Sequence, residues 1–85
     1  LEYMVLGLAN EAGEVAGVMK KYIREDYGFT EMQNRMVGEL GDVLWYLSMV
    51  AERLGIPFTH IAEYNLAKLA KRDAEGKIRG DGDNR

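Results

Sequence analysis

Cysteine is absent from this chain of 85 residues, and proline occurs once. Without cysteine the chain cannot form disulfides, cysteine-based zinc sites, haem attachment sites or a thiol nucleophile. No apolar run approaches the roughly 20 residues of a membrane span, and no secretory signal peptide is visible. We therefore expect no membrane partner and, by default, a cytoplasmic location. Because the chain begins at Leu1 inside a helical pattern, we expect the natural N-terminus to lie upstream.

An excess of positive charge is also missing, since the formal net charge is −3. A nucleic-acid-binding domain would present a basic face, so nucleic acid is not an expected partner. A chain this short forms one domain and buries only about 60% of its unfolded surface, which makes a monomer marginally stable. With no disulfide to compensate, self-association, a bound metal or close helix packing must contribute stability.

Apolar residues recur at helical spacing along three segments, and no segment alternates with the period of a strand. The helices are predicted within 2–26, from Thr30 to just before Gly55, and from about Pro57 or Thr59 to about Asp73. We expect an all-α fold, an antiparallel helical bundle of three main helices completed by oligomerisation. Residues 1–75 would form this domain, and the glycine-rich, charged residues 76–85 a flexible tail.

Residues that end helices stand at the predicted boundaries. The segment 26–29, Asp-Tyr-Gly-Phe, is typical of a turn. Thr30 with Gln33 forms a capping-box pattern that predicts the start of the second helix. Gly55 is predicted to be the residue that ends it in a left-handed conformation.

The apolar stripes predict which side chains form the core. They are Met4, Leu8, Ala12, Val15, Met19 and Tyr22 on the first helix, Met32, Met36, Leu40, Val43, Leu47, Val50 and Leu54 on the second, and Phe58, Ile61, Ala62, Leu66 and Leu69 on the third. Glycine also occurs inside the first two helices, at Gly7, Gly13, Gly17, Gly38 and Gly41. Each costs roughly 1 kcal/mol relative to alanine, and we interpret them as points where a partner helix approaches closely.

Two acidic pairs lie against these apolar stripes. At 100° per residue, the nearest apolar side chains fall within about 40° of Glu11 on the first helix and of Glu39 on the second. Glu14 and Asp42 lie about 60° from Glu11 and Glu39 respectively, at the margin of each stripe. The two helices therefore present the same arrangement of two acids spaced three residues apart.

Carboxylates in an apolar face are costly unless a cation compensates them. None of the four acids is followed by Lys or Arg at the helical spacing of three or four residues, and Arg35 is the nearest basic candidate. Hard divalent cations bind such oxygens, and Mg²⁺ combines a few carboxylates with waters and substrate phosphates. The pattern predicts a metal site. The alternative is a solvated acidic face, because a single acidic pair is common by chance.

Other chemistry is poorly supported by the sequence. His60 is the only histidine, and with Glu63 it gives H-x-x-E, the reverse of the motif in di-iron bundles. Basic residues cluster at Lys20, Lys21 and Arg24 on the first helix and at Lys68, Lys71 and Arg72 on the third. They are interpreted either as solvated surface or as groups that neutralise a polyphosphate beside the metal.

The acidic motifs resemble those of the MazG-type nucleoside triphosphate pyrophosphohydrolases, an all-α superfamily. The family signature, E-E-x-x-E followed after a spacer by E-x-x-D, corresponds to 10–14 and 39–42, with 24 residues between them. Asn65 and Lys68 are similar to the family's N-x-x-K element. The segment 80–85 resembles the G-S-G-D-N-R ending of phage and bacterial MazG-like proteins.

The resemblance implies hydrolysis of an NTP or dNTP to the monophosphate and pyrophosphate, as house-cleaning of the nucleotide pool. It also implies a homodimer or homotetramer with active sites beside the subunit interface. The metal would be Mg²⁺, with Mn²⁺ able to substitute, bound by Glu11, Glu14, Glu39 and Asp42. Asn10 stands where the signature has its first Glu, which is not one of the family's metal ligands, so we expect the metal site to be retained.

The resemblance also implies roles for individual side chains. Glu11 or Glu14 would act as the general base that takes a proton from the attacking water. Asn65 and Lys68 would bind the phosphates. Tyr46 lies one turn after Asp42 and would stack on the base or sugar, unless it is a core tyrosine.

Three other functions remain open at this point. A phosphoribosyl-ATP pyrophosphohydrolase shares the same architecture and would act on a different substrate. A non-catalytic helical interaction module would use the acids to bind a structural cation or a basic partner. A plain assembly domain would leave the acids solvated and indifferent to divalent ions.

Overall fold

The computed structural model describes residues 1–76, and their secondary structure is helical. The three helices are α1 (Glu2–Ile23), α2 (Phe29–Arg53) and α3 (Phe58–Ala74). No strand occurs in this part of the chain, which confirms the all-α prediction. None of these helices is both long and apolar enough to cross a lipid bilayer.

The chain divides into two units. Leu1–Gly55 holds α1 and α2, and Ile56–Arg85 holds α3. The tail predicted over 76–85 lies outside the described residues, apart from Gly76.

In the first unit α1 and α2 pack against each other as an antiparallel pair. Toward the start of α1, Gly7 lies against the ring of Tyr46. At the other end of α1, the rings of Tyr22 and Phe29 meet edge to face with centroids 6.2 Å apart. Contacts therefore pair early residues of α1 with late residues of α2, as the short connection between the helices requires.

A Schellman motif, rather than a glycine, ends α1. The Asp26 N–H donates to the carbonyl of Lys21 at 3.0 Å, and the Glu25 N–H donates to that of Tyr22 at 2.9 Å. Glu25 takes the left-handed conformation, with φ of 67°, that this motif requires. The Arg24 guanidinium donates to the Asp26 carboxylate at 2.6 Å, and this hydrogen bond lowers the pKa of Asp26. The turn therefore begins at Arg24, two residues before Asp26, where it was predicted to begin.

The second helix begins at Phe29, so the predicted start at Thr30 is wrong by one residue. Gly28 is the N-cap, and no side chain caps the helix start. The Gly28 carbonyl already accepts from the Met32 N–H at 3.0 Å, which places Thr30 inside the first turn, where its hydroxyl cannot act as the cap.

The end predicted for α2, just before Gly55, is confirmed, and α3 ends at Ala74, one residue after the predicted Asp73. Gly55 follows the end of α2 with φ of 70°, and Gly76 follows the end of α3 with φ of 69°. Both values lie in the left-handed region that glycine adopts at little cost. Pro57 is the N-cap of α3, within the range predicted for its start.

Few apolar side chains are buried. Among residues 1–76 they are Val18, Met32 and Ala51. Several predicted core positions are exposed, namely Ala12, Met19, Leu40, Leu54, Phe58, Ala62 and Leu66. The physical reason in the first unit is that each helix of a pair covers only one face of its partner, so the edges of a broad stripe stay in solvent.

The interpretation of the helix glycines holds at one of the five positions. A side chain at Gly7 would overlap the Tyr46 ring. Within one copy, a β-carbon at the other four would meet no atom within 4 Å; they are Gly13, Gly17, Gly38 and Gly41. Close approach of a helix from a second copy at those four stays a prediction.

Candidate functional site

Three carboxylates from the two helices meet at the α1–α2 interface. Glu11 of α1 and Glu39 and Asp42 of α2 each offer an oxygen, and these oxygens all lie within 4.8 Å of one another. We call these three residues the acidic cluster. Glu11 and Glu39 are half-buried, whereas Asp42 is exposed. Helical periodicity places Glu39 and Asp42 on one side of α2, and antiparallel packing sets Glu11 opposite them.

The acidic cluster is electrostatically unfavourable without a cation. Burial raises the pKa of Glu11, and the negative charges of Asp42, Glu39 and Glu14 raise it further, in that order. Each cause disfavours the ionised form of the same carboxyl group. A positive ion placed among these oxygens would reverse the sign of the charge interactions.

A divalent cation fits this donor set. Mg²⁺–oxygen distances are about 2.0–2.1 Å, so two oxygens on one Mg²⁺ lie at most about 4.2 Å apart. The oxygens of the acidic cluster lie within 4.8 Å of one another, which is close to this span. All three donors are carboxylate oxygens, which hard cations prefer over nitrogen or sulfur.

Glu14 lies beside the acidic cluster and is not part of it. It is exposed, and with Glu39 it lines an open cleft of about 180 Å³ on the first unit. Its charge is close enough to contribute to the raised pKa of Glu11. The structure therefore brings together three of the four predicted metal ligands and places the fourth at the border of a cleft.

Tyr27 and Arg35 also line this cleft. The Tyr27 hydroxyl donates to the carbonyl of Val18 at 2.7 Å, which fixes the ring against α1. The Arg35 guanidinium lies 4.5 Å from the centre of that ring and donates to Glu31 at 3.2 Å. Lys21 adds a second basic group to the lining.

Sequence reasoning missed this cleft. From the sequence, Arg35 was the nearest basic candidate for the four acids, whereas in the structure it pairs with Glu31, four residues before it. That order of acid before base is the more favourable one on a helix. The signal available in the sequence was the Glu-x-x-x-Arg spacing of 31–35. Tyr27 contacts α1 because the chain reverses direction between α1 and α2, and no local sequence pattern indicates this contact.

Residues 1–76 match the family model of the MazG nucleotide pyrophosphohydrolase domain. This chain belongs to that family. A relative, the "Gene 37 protein" of Mycobacterium phage L5, is 41% identical over 87 residues, which cover 100% of this chain and 76% of the relative. No solved structure matches the chain.

Membership of the MazG family gives the acidic cluster a chemical context. The family is one of nucleotide pyrophosphohydrolases, and its members generally depend on a divalent metal. The two helices that carry the acidic motifs both fall within the matched residues. A divalent-metal site at the acidic cluster agrees with the family and with the donor set described above.

Tyr46 is more enclosed than a free stacking residue would be. The ring is half-buried, lies against Gly7, and meets the Trp45 ring edge to face with centroids 4.9 Å apart. Burial raises the pKa of Tyr46, and the nearby Tyr3, Glu11 and Asp42 raise it further. The predicted stacking of Tyr46 on a base or sugar stays a prediction.

The other predicted substrate-binding residues lie on α3, in the second unit. Asn65 and Lys68 are separated by three residues and share one side of the helix. The Lys68 ammonium group lies 5.8 Å from the centre of the Tyr64 ring, and Lys68 is half-buried. Binding of phosphates by Asn65 and Lys68 remains a prediction.

Proposed function

We propose that this protein is a Mg²⁺-dependent nucleoside triphosphate pyrophosphohydrolase that converts an NTP or dNTP to the monophosphate and pyrophosphate. The observation that carries the proposal is the convergence of Glu11, Glu39 and Asp42 within 4.8 Å, in a chain of the MazG family. Mn²⁺ would substitute for Mg²⁺ because both accept carboxylate oxygens. The proposed role is the removal of unwanted nucleotides from the cytoplasmic pool.

The acidic cluster would hold the ion, and Glu14 would complete the set from its edge. When bound, the ion would offset charge on the phosphate oxygens and lower the pKa of a bound water. Glu11 and Glu14 are the proposed general bases, because Glu11 belongs to the acidic cluster and Glu14 is close enough for its charge to raise the pKa of Glu11. Asn65 and Lys68 would hold the phosphates.

We further propose that the chain acts as a homodimer or homotetramer. Exposed apolar side chains follow one side of α2, where Val37, Leu40 and Leu44 are 73%, 54% and 55% exposed. Trp45 is also 52% exposed and lies about 100° around the helix from Leu44, outside this stripe. Because so few apolar side chains are buried within one copy, a second copy that covers the stripe would contribute much of the missing apolar burial.

A nucleotide panel tests the proposed reaction. The purified protein is incubated with each NTP, each dNTP and phosphoribosyl-ATP in the presence of Mg²⁺ or Mn²⁺, and the products are resolved by chromatography. Monophosphate plus pyrophosphate is the expected result. Diphosphate plus orthophosphate, or no turnover with either ion, would overturn the proposal. Turnover of phosphoribosyl-ATP alone would instead assign the related pyrophosphohydrolase activity.

A further inference from the structure

Gly7 marks a tight approach of α1 to α2. A β-carbon at this position would lie 2.6 Å from both Cδ1 and Cζ of the Tyr46 ring, well inside van der Waals contact. A β-carbon at Gly13, on the same helix, would meet no atom within 4 Å. The need for glycine at position 7 therefore comes from the Tyr46 ring and not from the backbone of α1.

This contact lies one helical turn from the acidic cluster. Gly7 comes four residues before Glu11 on α1, and Tyr46 comes four residues after Asp42 on α2. Residues four apart share a side of a helix and are separated by about 6 Å along its axis. The contact and the carboxylates therefore belong to the same interface, and a change in helix separation at one is transmitted to the other.

The Tyr46 ring has little freedom to move away from Gly7. The Trp45 ring meets it edge to face at 86°, with centroids 4.9 Å apart. Tyr3, Glu11 and Asp42 are close enough to affect the ionisation of its hydroxyl. An added methyl group at position 7 would therefore push α1 from α2 or turn the ring toward the carboxylates.

We propose that Gly7 and Tyr46 are positioning residues, whose contact sets the separation of α1 and α2 at the acidic cluster. This inference rests on the proposed function in one respect, namely that the cluster binds a divalent cation. It gives Tyr46 a role that acts through the placement of the metal ligands. Neither residue needs to touch the nucleotide for this role.

Mn²⁺ binding without nucleotide tests the proposal. Mn²⁺ is titrated into the full chain and followed by electron paramagnetic resonance, while circular dichroism monitors folding. We expect Gly7→Ala to weaken Mn²⁺ binding on the order of tenfold, as loss of a supporting residue around a metal site does. Gly13→Ala is the matched control, since it adds the same methyl group to the same helix in open space. It should leave Mn²⁺ affinity within about twofold of the unmodified protein.

A second pair of variants decides the matter even if Gly7→Ala fails to fold. Tyr46→Phe keeps the ring and should retain Mn²⁺ affinity within about twofold, whereas Tyr46→Ala should weaken it on the order of tenfold. Equal losses in Tyr46→Phe and Tyr46→Ala would overturn the proposal, because the hydroxyl would then act directly. In the Tyr46→Ala background, Gly7→Ala should cause no further loss, because the overlap is gone.

The outcomes separate the two proposals. Equal weakening by Gly7→Ala and Gly13→Ala, or unchanged affinity in Gly7→Ala, overturns the positioning role and leaves the proposed function intact. Absence of Mn²⁺ binding by the unmodified protein overturns both. Normal Mn²⁺ binding with the expected variant pattern, but no nucleotide turnover, supports the positioning role and overturns the hydrolase.

Discussion

Carboxylate oxygens of Glu11 on α1 and Asp42 on α2 lie within 4.8 Å of each other, and an oxygen of Glu39 lies within the same limit of both. Like charges at this separation repel each other and favour protonation of one of the groups. A bound cation converts the same arrangement into an attractive one.

Replacement of Glu39 by glutamine should abolish hydrolysis while the helices remain folded. Glu39→Gln preserves the shape of the side chain and removes one anionic ligand, so we expect at least about a 100-fold loss of turnover with Mg²⁺. The helical circular dichroism spectrum should not change. Glu52→Gln is the control, because Glu52 is exposed on the same helix. Equal activity in the two variants would contradict the assignment.

Glu11 should make the metal-free protein less stable as the pH rises. Its pKa is raised above 4.5 in the folded state, so the folded protein binds more protons than the unfolded chain between that value and the raised one. The favourable contribution is present at low pH and is lost as the pH rises through this window. In EDTA, the melting temperature of Glu11→Gln should exceed that of the unmodified protein at pH 7, and the difference should shrink toward pH 4. A pH-independent difference would show that charge is not its cause.

Removal of divalent metal should lower the melting temperature. A ligand that binds only the folded state, at about 100 times its dissociation constant, stabilises that state by roughly 2.7 kcal/mol. We therefore expect Mg²⁺ or Mn²⁺ to raise the melting temperature measured in EDTA. The same ions should have little effect on Glu39→Gln. A shift of equal size in that variant would indicate binding somewhere other than the acidic cluster.

Glu25 should be a position where glycine increases stability. It adopts φ of 67°, a conformation that strains residues with a β-carbon and costs glycine little. Glu25→Gly should raise the free energy of unfolding by about 0.5–1 kcal/mol, measured by urea denaturation. Glu25→Ala keeps the strain and should give no such gain. If both variants stabilise equally, loss of the negative charge is responsible.

A charge on the exposed stripe of α2 should disrupt the proposed oligomer. Leu44 is 55% exposed and lies in that stripe, so Leu44→Lys would place a lysine in the subunit interface. Burial of an unpaired charge is unfavourable, and light scattering after size exclusion should show a smaller species. Asn34→Lys is the control, because Asn34 is exposed on the same helix about 80° from Leu44, and it should leave the mass unchanged. A monomeric unmodified protein would contradict the proposal directly.

The helices could be predicted well because their ends carry local signals. Gly55 and Gly76 stand where a left-handed residue is needed, and glycine is the residue that supplies it. The end of α1 was harder to predict because Glu25 adopts the left-handed conformation in a Schellman motif. Glutamate is not a residue type that indicates this conformation. The start at Phe29 was missed because the N-cap residue is Gly28, which has no side chain to form the expected cap.

The site could be predicted only in part. Periodicity identifies Glu11 and Glu39 as facing the apolar side, but it treats Glu14 and Asp42 as equivalent, each about 60° away. In the structure Asp42 joins the acidic cluster and Glu14 borders the cleft. This difference arises from how one helix is rotated and shifted against the other, which depends on packing across the pair and has no trace in the spacing of either motif.

The small number of buried apolar side chains has a consequence for how the protein behaves at different concentrations. With Val18, Met32 and Ala51 as the buried apolar residues between positions 1 and 76, a single copy has little hydrophobic stabilisation of its own. If copies assemble through α2, folding and association become one equilibrium, and mass action sets the folded fraction. Turnover per molecule would then fall when the protein is diluted and recover when it is concentrated again.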